Sequence, residues 1–277
     1  MDKTWTKVLA GCGIGCLFLV LLAVGLSWMG YRWAKDTAVA VEAAAEAQQQ
    51  LAEEYGRVRD FVPAKDGRLR EDRLEVFLTV REESSAARTH LEEAIFGLAR
   101  RDEDGGVSGG LRAARAGVSM PQNIMDFFRA RNQALLDAGM GRGEYAWIYW
   151  LTYFAWLGHP AGDSELDDIL ADRSSESGRV NVHVDGGMEP ERLTWRVRRD
   201  ITAMLRNLEE ELAADPDGTE LLEIVRAELA VLAEDPARVP WEDGLPQEFA
   251  AGLDPYRDRL EASYSRAANP FELVDLD

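Results

Sequence analysis

Apolar positions in this chain follow two different patterns. From Val8 to Met29 they form one unbroken run, VLAGCGIGCLFLVLLAVGLSWM, 22 residues without a charge. At about 1.5 Å per helical residue the run spans about 33 Å, enough for a hydrocarbon core of roughly 30 Å. Lys3, Lys7, Arg32 and Lys35 flank it, and Trp5, Trp28, Tyr31 and Trp33 mark its edges, where amphipathic rings sit at headgroup level. The pattern predicts one transmembrane helix over 8–29, with the lipid bilayer as a partner.

Two rival readings of that run are weaker. Leu9-Ala10-Gly11-Cys12 has the form of a lipoprotein cleavage box, but the apolar region follows it instead of preceding it. A cleaved signal peptide would need a small-x-small site, where the chain has Trp28 and Met29. Within the run, Gly11 and Gly15 let two helix backbones approach closely, making them the candidate dimer face of a homodimer. Cys12 and Cys16 repeat that spacing and could be acylated. The flanking cations slightly favour an inside N-terminus, hence a single-pass protein with its soluble part on the exported side of a bacterial envelope.

Past the run, apolar residues recur at helical spacing. Residues 30–60 are rich in Ala, Glu and Gln and predict a helical stalk with thin packing. Residues 61–277 predict an acidic, all-α domain of six or seven amphipathic helices. Leu74, Phe77, Leu78, Leu91, Ile95 and Leu98 share a face of a helix over 71–101, which Arg81, Ser84, Ser85 and Arg88 interrupt with a bend or polar groove. Asp102 to Gly110 reads as a flexible loop that fits neither a calcium nor a phosphate site. Ser119 and Pro121 suit the first turn of the next helix, which stops at Gly139 to Gly143.

Glu144 to Gly158, EYAWIYWLTYFAWLG, is apolar on every side. Such a helix belongs at the centre of a bundle and is too short to span a bilayer. Its rings Tyr145, Trp147, Trp150, Tyr153, Phe154 and Trp156 are the candidate ligand-binding residues, either sealed as core or bordering a groove. Buried Tyr hydroxyls and Trp N–H groups would need polar companions.

The remainder predicts one strand, Arg179 to Asp185, and a hairpin of two helices, to about Ala214 and over Thr219 to Glu234. A Pro-punctuated connector then holds Trp241, and a last helix carries Tyr256, Leu260 and Tyr264. Arg192, Arg196 and Arg199 share a face and pair with the chain's own acids. The tail from Asn269, with Phe271, Leu273 and Val274, either docks on the bundle or stands exposed.

Composition sharpens the functional picture. Net charge is −19; residues 1–35 carry four cations and Asp2, a net +3, so the rest carries −22. A field of that sign repels nucleic acid. His183 and Asp185 could join Asp167, Asp168 or His159 around a metal, but nothing fixes their spacing, and no metal or cofactor is expected. No nucleophile elbow, zincin or Walker pattern appears, so no catalytic residue is assigned. The expected function is a membrane-anchored, non-enzymatic interaction or scaffold module with an unknown protein partner; the alternative is a lipid or small-molecule binding domain with an aromatic pocket.

Overall fold

Gly141 and Gly143 open the aromatic helix, and their missing side chains decide how the chain assembles around it. A Cβ on Gly141 would lie 2.7 Å from Tyr55 Cβ; one on Gly143 would lie 2.5 Å from Phe61 Cβ and 2.8 Å from the Val58 carbonyl oxygen. The segment 55–61 therefore crosses directly over the start of that helix. In this computed structural model the described residues are 42–99, 107–165, 168, 190–215 and 219–273. The chain divides into units 1–43 and 44–277, and both apolar clusters of the core belong to the second. The run 8–29 with Gly11 and Gly15, residues 30–41 of the stalk, and the strand over 179–185 lie outside the described residues.

All regular elements among the described residues are helical, with no strand. Helix α1 ends at residue 55; α2 is Glu71–Glu83, α3 Ser85–Ala99, α4 Val107–Asp137, and α5 Arg142–Tyr149. The chain winds on from α5 as a π-helical turn, Trp150–Trp156. Next come α6 Pro190–Ala213, α7 Thr219–Glu234, α8 Gln247–Ala250, α9 Arg257–Ser263 and α10 Asn269–Glu272. These exceed the six or seven expected because the single helix predicted over 71–101 is two and because α8 and α10 are one-turn pieces whose period sequence cannot display.

Of the two clusters, the larger gathers α2, α5, α6, α7 and α8 around Phe77, Trp147, Trp150, Leu205 and Phe249; the smaller joins α1, α3, α4 and the C-terminal segment through Ala44, Leu91, Phe127 and Phe271. Helix α10 touches both, with Phe271 in the smaller and Leu273 against the larger. Residues 269–273 of the tail thus dock on the bundle. Helices α6 and α7 run antiparallel: Arg226 Nε donates to Glu209 Oε1 at 3.0 Å, and Arg198 Nε donates to the Arg238 carbonyl at 2.8 Å. Arg198 thereby occupies the C-terminal end of α7, where cations are favoured.

Several expectations change. The stalk's last turns are not a free spacer, because Ala44 and Leu51 are buried and Ala47 nearly so. Helix α4 begins at Val107, so Gly109 and Gly110 are helical and not loop. It passes through Ser119 and Pro121, so these do not start a helix. Pro121 removes the bond to the carbonyl of residue 117 and sets its ring against that carbonyl, and the helix continues past it. The interruption of the 71–101 helix is a true break at Ser84, between α2 and α3. Its Oγ donates back to the Val80 carbonyl at 2.9 Å, competing with the ladder as hydroxyls do.

Gly143→Ala tests the crossing. The obstructing atoms are a Cβ and a backbone oxygen, which cannot swing aside. The substitution should destabilise by about 1–3 kcal/mol, as overpacking does, read from denaturant unfolding; an unchanged midpoint would refute the contact.

Candidate functional site

The aromatic helix is positioned at its start by a forked ion pair. Arg73 Nε and Nη2 each donate to Glu144 at 2.6 Å, and Nη2 also reaches the Gly139 carbonyl at 3.1 Å. From there α5 and its π-helical continuation present two unlike faces.

Tyr145, Tyr149 and Tyr153, spaced four apart, share one face. All three are buried, and each hydroxyl is paired. The Tyr145 hydroxyl donates to Glu272 Oε2 at 2.7 Å and accepts from Arg81 Nη1 at 3.0 Å. The Tyr149 hydroxyl donates to Asn269 Oδ1 at 3.0 Å, and Tyr153 bonds Ser263 Oγ at 2.6 Å. Arg81 Nη1 also donates to Glu272 Oε1 at 2.9 Å, with both side chains 1% exposed. Arg88 reaches the Ser263 carbonyl at 2.7 Å and the Arg81 carbonyl. Arg131 Nη1 reaches the Phe271 and Glu272 carbonyls at 2.8 and 2.7 Å. Three buried guanidiniums thus surround one carboxylate, while Arg81 Nε and Arg88 Nε have no partner.

The charges follow from that packing. Burial alone would raise the Glu272 pKa, but Arg81, Arg88 and Arg131, with the Tyr145 hydroxyl, hold it below the ordinary carboxylate value. Burial pushes Tyr145, Tyr149 and Tyr153 upward, so their hydroxyls stay protonated and can donate. Burial likewise draws Arg131 below its usual value, with Glu272 opposing.

The other face ends in a cavity of about 340 Å³, walled by Trp150, Phe154 and Trp241 and rimmed by His159, Thr194 and Glu242. The volume lies at the small end of the roughly 300–1,000 Å³ of ligand sites. Four local features coincide there. The helix leading to it is π-wound, with the Leu157 N–H donating to the Thr152 carbonyl at 2.9 Å, a form that recurs at functional sites. Trp150 is 0% exposed, yet its Nε1 has no partner. His159 Nε2 is buried and equally unpartnered. Trp241 has φ 54°, a left-handed conformation that costs a bulky residue about 1–2 kcal/mol. Its backbone N–H donates to Glu228 Oε1 at 2.7 Å, and this with its packing on Phe249, 4.6 Å between centroids, holds it there.

His159 is set by stacking. Its ring lies 3.8 Å from that of Tyr264 at 9°, and its backbone N–H donates to the Tyr153 carbonyl at 2.9 Å. Burial lowers its pKa below the usual 6.5, with Asp163 and Glu261 pulling the other way. Beside it, Arg266 binds Asp163, Glu165 and Asp168 at 2.7, 2.9 and 2.8 Å, and Asn269 Nδ2 donates to the Asp163 carbonyl at 2.7 Å. The rim is thereby tied to the C-terminal segment.

Of the six rings singled out in the sequence, Trp150 and Phe154 border the cavity. Tyr145, Trp147 and Tyr153 are sealed in the core, and Trp156 is half-buried beneath Arg257, whose Cζ lies 4.1 Å from its centroid. Sequence reasoning offers His159 only a metal role and leaves Trp241 in a connector; a positive φ at tryptophan has no sequence signal. Glu272 is one acid among many there, although Arg81 and Arg88 already stand out on an apolar face. Among the described residues no group of three or more His, Cys, Asp or Glu could hold a metal; Asp167, His183 and Asp185 lie outside them.

Two titrations test these environments. Glu272→Gln leaves three buried cations without a carboxylate and should cost about 3–5 kcal/mol at pH 7. A depressed carboxylate stabilises the fold above its unfolded value, 4.5, and that contribution is lost as pH falls through the lower folded value. The gap between wild type and E272Q should therefore narrow below about pH 4.5; a constant gap would contradict the charge state. For His159, NMR should place the imidazole midpoint below 6.5. Its burial as the neutral ring stabilises the fold fully above that unfolded value, and the contribution is lost as pH falls toward the folded midpoint. Compared with known proteins, the chain matches no family model, no curated protein and no solved structure.

Proposed function

We propose that this chain is a single-pass, membrane-anchored, non-enzymatic helical module that binds a small molecule in the cavity beside Trp150. The single observation that carries the reading is that cavity of about 340 Å³, lined by Trp150, Phe154 and Trp241. In this reading residues 8–29 hold the acidic body beside the lipid on the exported side, and Gly11 and Gly15 supply a packing face for a second copy.

A second reading, a protein interaction module, is favoured by Trp195. It stands 60% exposed on α6, with the Arg199 guanidinium 5.3 Å from its ring centroid. Exposed tryptophan beside arginine is a common anchor of protein contacts.

The two readings separate by NMR on the full chain in lipid nanodiscs, titrated with a set of small neutral aromatic fragments. Binding at the cavity should shift the Trp150 and Trp241 indole N–H resonances and leave Trp195 unmoved. If no fragment shifts Trp150, the small-molecule reading falls. Alkaline extraction of native membranes tests the tether: the chain should stay with the lipid, and release of the intact chain would refute it.

A further inference from the structure

The first two-thirds of α6 reverse the charge of the body that carries them. Residues 192–206 hold five arginines and a single acid, Asp200, a net +4, so the remainder of residues 36–277 carries −26. Trp195, Arg199, Thr202 and Arg206 follow one another at spacings of four, three and four, which places them in one stripe along the helix. Trp195 is 60% exposed and Arg206 is exposed at the far end. The Arg199 guanidinium lies 5.3 Å from the Trp195 ring centroid.

Few of these cations are met by the chain's own acids. Arg199 pairs with Asp200 at 2.8 Å. Arg198 donates to the Leu232 and Arg238 carbonyls. Glu209, one turn past Arg206, is held by Arg226 at 3.0 Å. Arg196, Arg198 and Arg206 have no carboxylate partner among the described residues, so the expected internal pairing holds at Arg199 and not at Arg196. Arg206 also lines a cavity of about 240 Å³ with Leu229 and Leu232, so apolar side chains adjoin the charged end of the stripe.

The chemistry of the stripe suits a lipid surface better than a protein one. Guanidinium forks match the paired oxygens of a phosphodiester, and an indole with its polar N–H prefers the headgroup layer. Trp195 is the only large hydrophobic residue that the described part of α6 exposes, whereas a protein hot spot sits in a packed, dry patch. At physiological salt charges are screened over about 8 Å, so acids on other faces do not cancel the stripe. Near an anionic surface the uneven charge turns the basic side inward.

Resting on the membrane-anchored reading above, we propose that this stripe docks the body on anionic phospholipid headgroups, with phosphodiester oxygens accepting from Arg196 and Arg206 and the Trp195 ring among the headgroups.

The test uses the full chain in nanodiscs of phosphatidylcholine alone and in discs where part of the lipid is phosphatidylglycerol, each with a trace of headgroup-spin-labelled lipid. The Trp195 indole N–H should broaden in the anionic discs and stay sharp in the neutral ones, while Trp150 and Trp241 should not change. Arg196→Gln and Arg206→Gln should each lower the docking constant about 5-fold, the worth of one basic residue at an anionic surface. Inorganic phosphate added to neutral discs should leave Trp195 sharp. If phosphate shifts Arg206 Nε and anionic lipid does not broaden Trp195, the stripe takes a free anion and the docking is overturned. Equal broadening in both discs, or variants that leave it unchanged, would overturn the role of charge. Crosslinking of Trp195 to an acidic protein in native membranes, with Trp195 sharp in anionic discs, would put a protein in place of lipid. A chain retained in the disc with Trp195 sharp overturns the docking alone; a chain that elutes apart from the disc overturns the anchored reading and the docking with it. The two discs are compared on wild type, so the outcome does not depend on a variant folding.

Discussion

Glu272 is the point on which the fold is balanced. Arg81, Arg88 and Arg131 are buried around it, and desolvating a guanidinium costs several kcal/mol unless its charge and its donors are met. One carboxylate cannot meet three cations. The rest of the compensation comes from backbone carbonyls of Arg81, Ser263, Phe271 and Glu272, and from the faces of Tyr149 and Tyr153, 5.2 and 5.0 Å from Arg81 Cζ. Three of those four carbonyls lie in the last fifteen residues of the chain. The C-terminal segment is therefore part of the core, and α2, α3, α4 and α5 have no satisfied arrangement without it.

The network also accounts for what is legible in the sequence. Long amphipathic periods identify α6 and α7 because Leu193, Val197, Ile201, Met204 and Leu208 bury one stripe by spacing alone. The break at Ser84 is visible as polar residues crossing an apolar face, since cations inside a core interrupt the very pattern that marks it. The role of Glu272 is not visible. Its environment is assembled from contacts up to 191 residues apart, and a chain with 50 acidic residues gives no local reason to choose one. The start of α4 is hidden for the opposite reason: Gly109, Gly110, Ser119 and Pro121 all carry local signals for ending or capping a helix. Here local preference of about 1 kcal/mol per glycine yields to the rest of the helix.

The tyrosine ladder joins this network to the cavity. Tyr149 and Tyr153 stand 4.6 Å apart, Tyr153 and Tyr264 5.2 Å, and Tyr264 stacks on His159. Every step is a packed ring contact, and Ser263 and Asn269 pin two of the hydroxyls. The rim residues after the π-helical turn are held by Arg266 and Asn269, next to the segment that supplies Glu272. The buried charges are thus tied to the cavity wall through the C-terminal segment.

Spacing alone leaves the aromatic helix as either sealed core or open groove, and the π-helical turn lets it be both. Widening the winding at Trp150 changes the angle between the tyrosine side and the Trp150–Phe154 side where the latter borders the cavity. On the tyrosine side the hydroxyls of Tyr145, Tyr149 and Tyr153 each find a partner within the chain, although Arg81 Nε and Arg88 Nε beside them do not. On the Trp150–Phe154 side the indole N–H and the His159 Nε2 are left over, beside a tryptophan held in a backbone conformation it would not choose. Unpaired polar atoms and local strain are expected where binding sets the sequence and packing does not. The three tyrosine hydroxyls are closed by partners within the chain, whereas Trp150 and Phe154 border a cavity, so the aromatic stretch divides between sealed core and cavity wall at the π-helical turn.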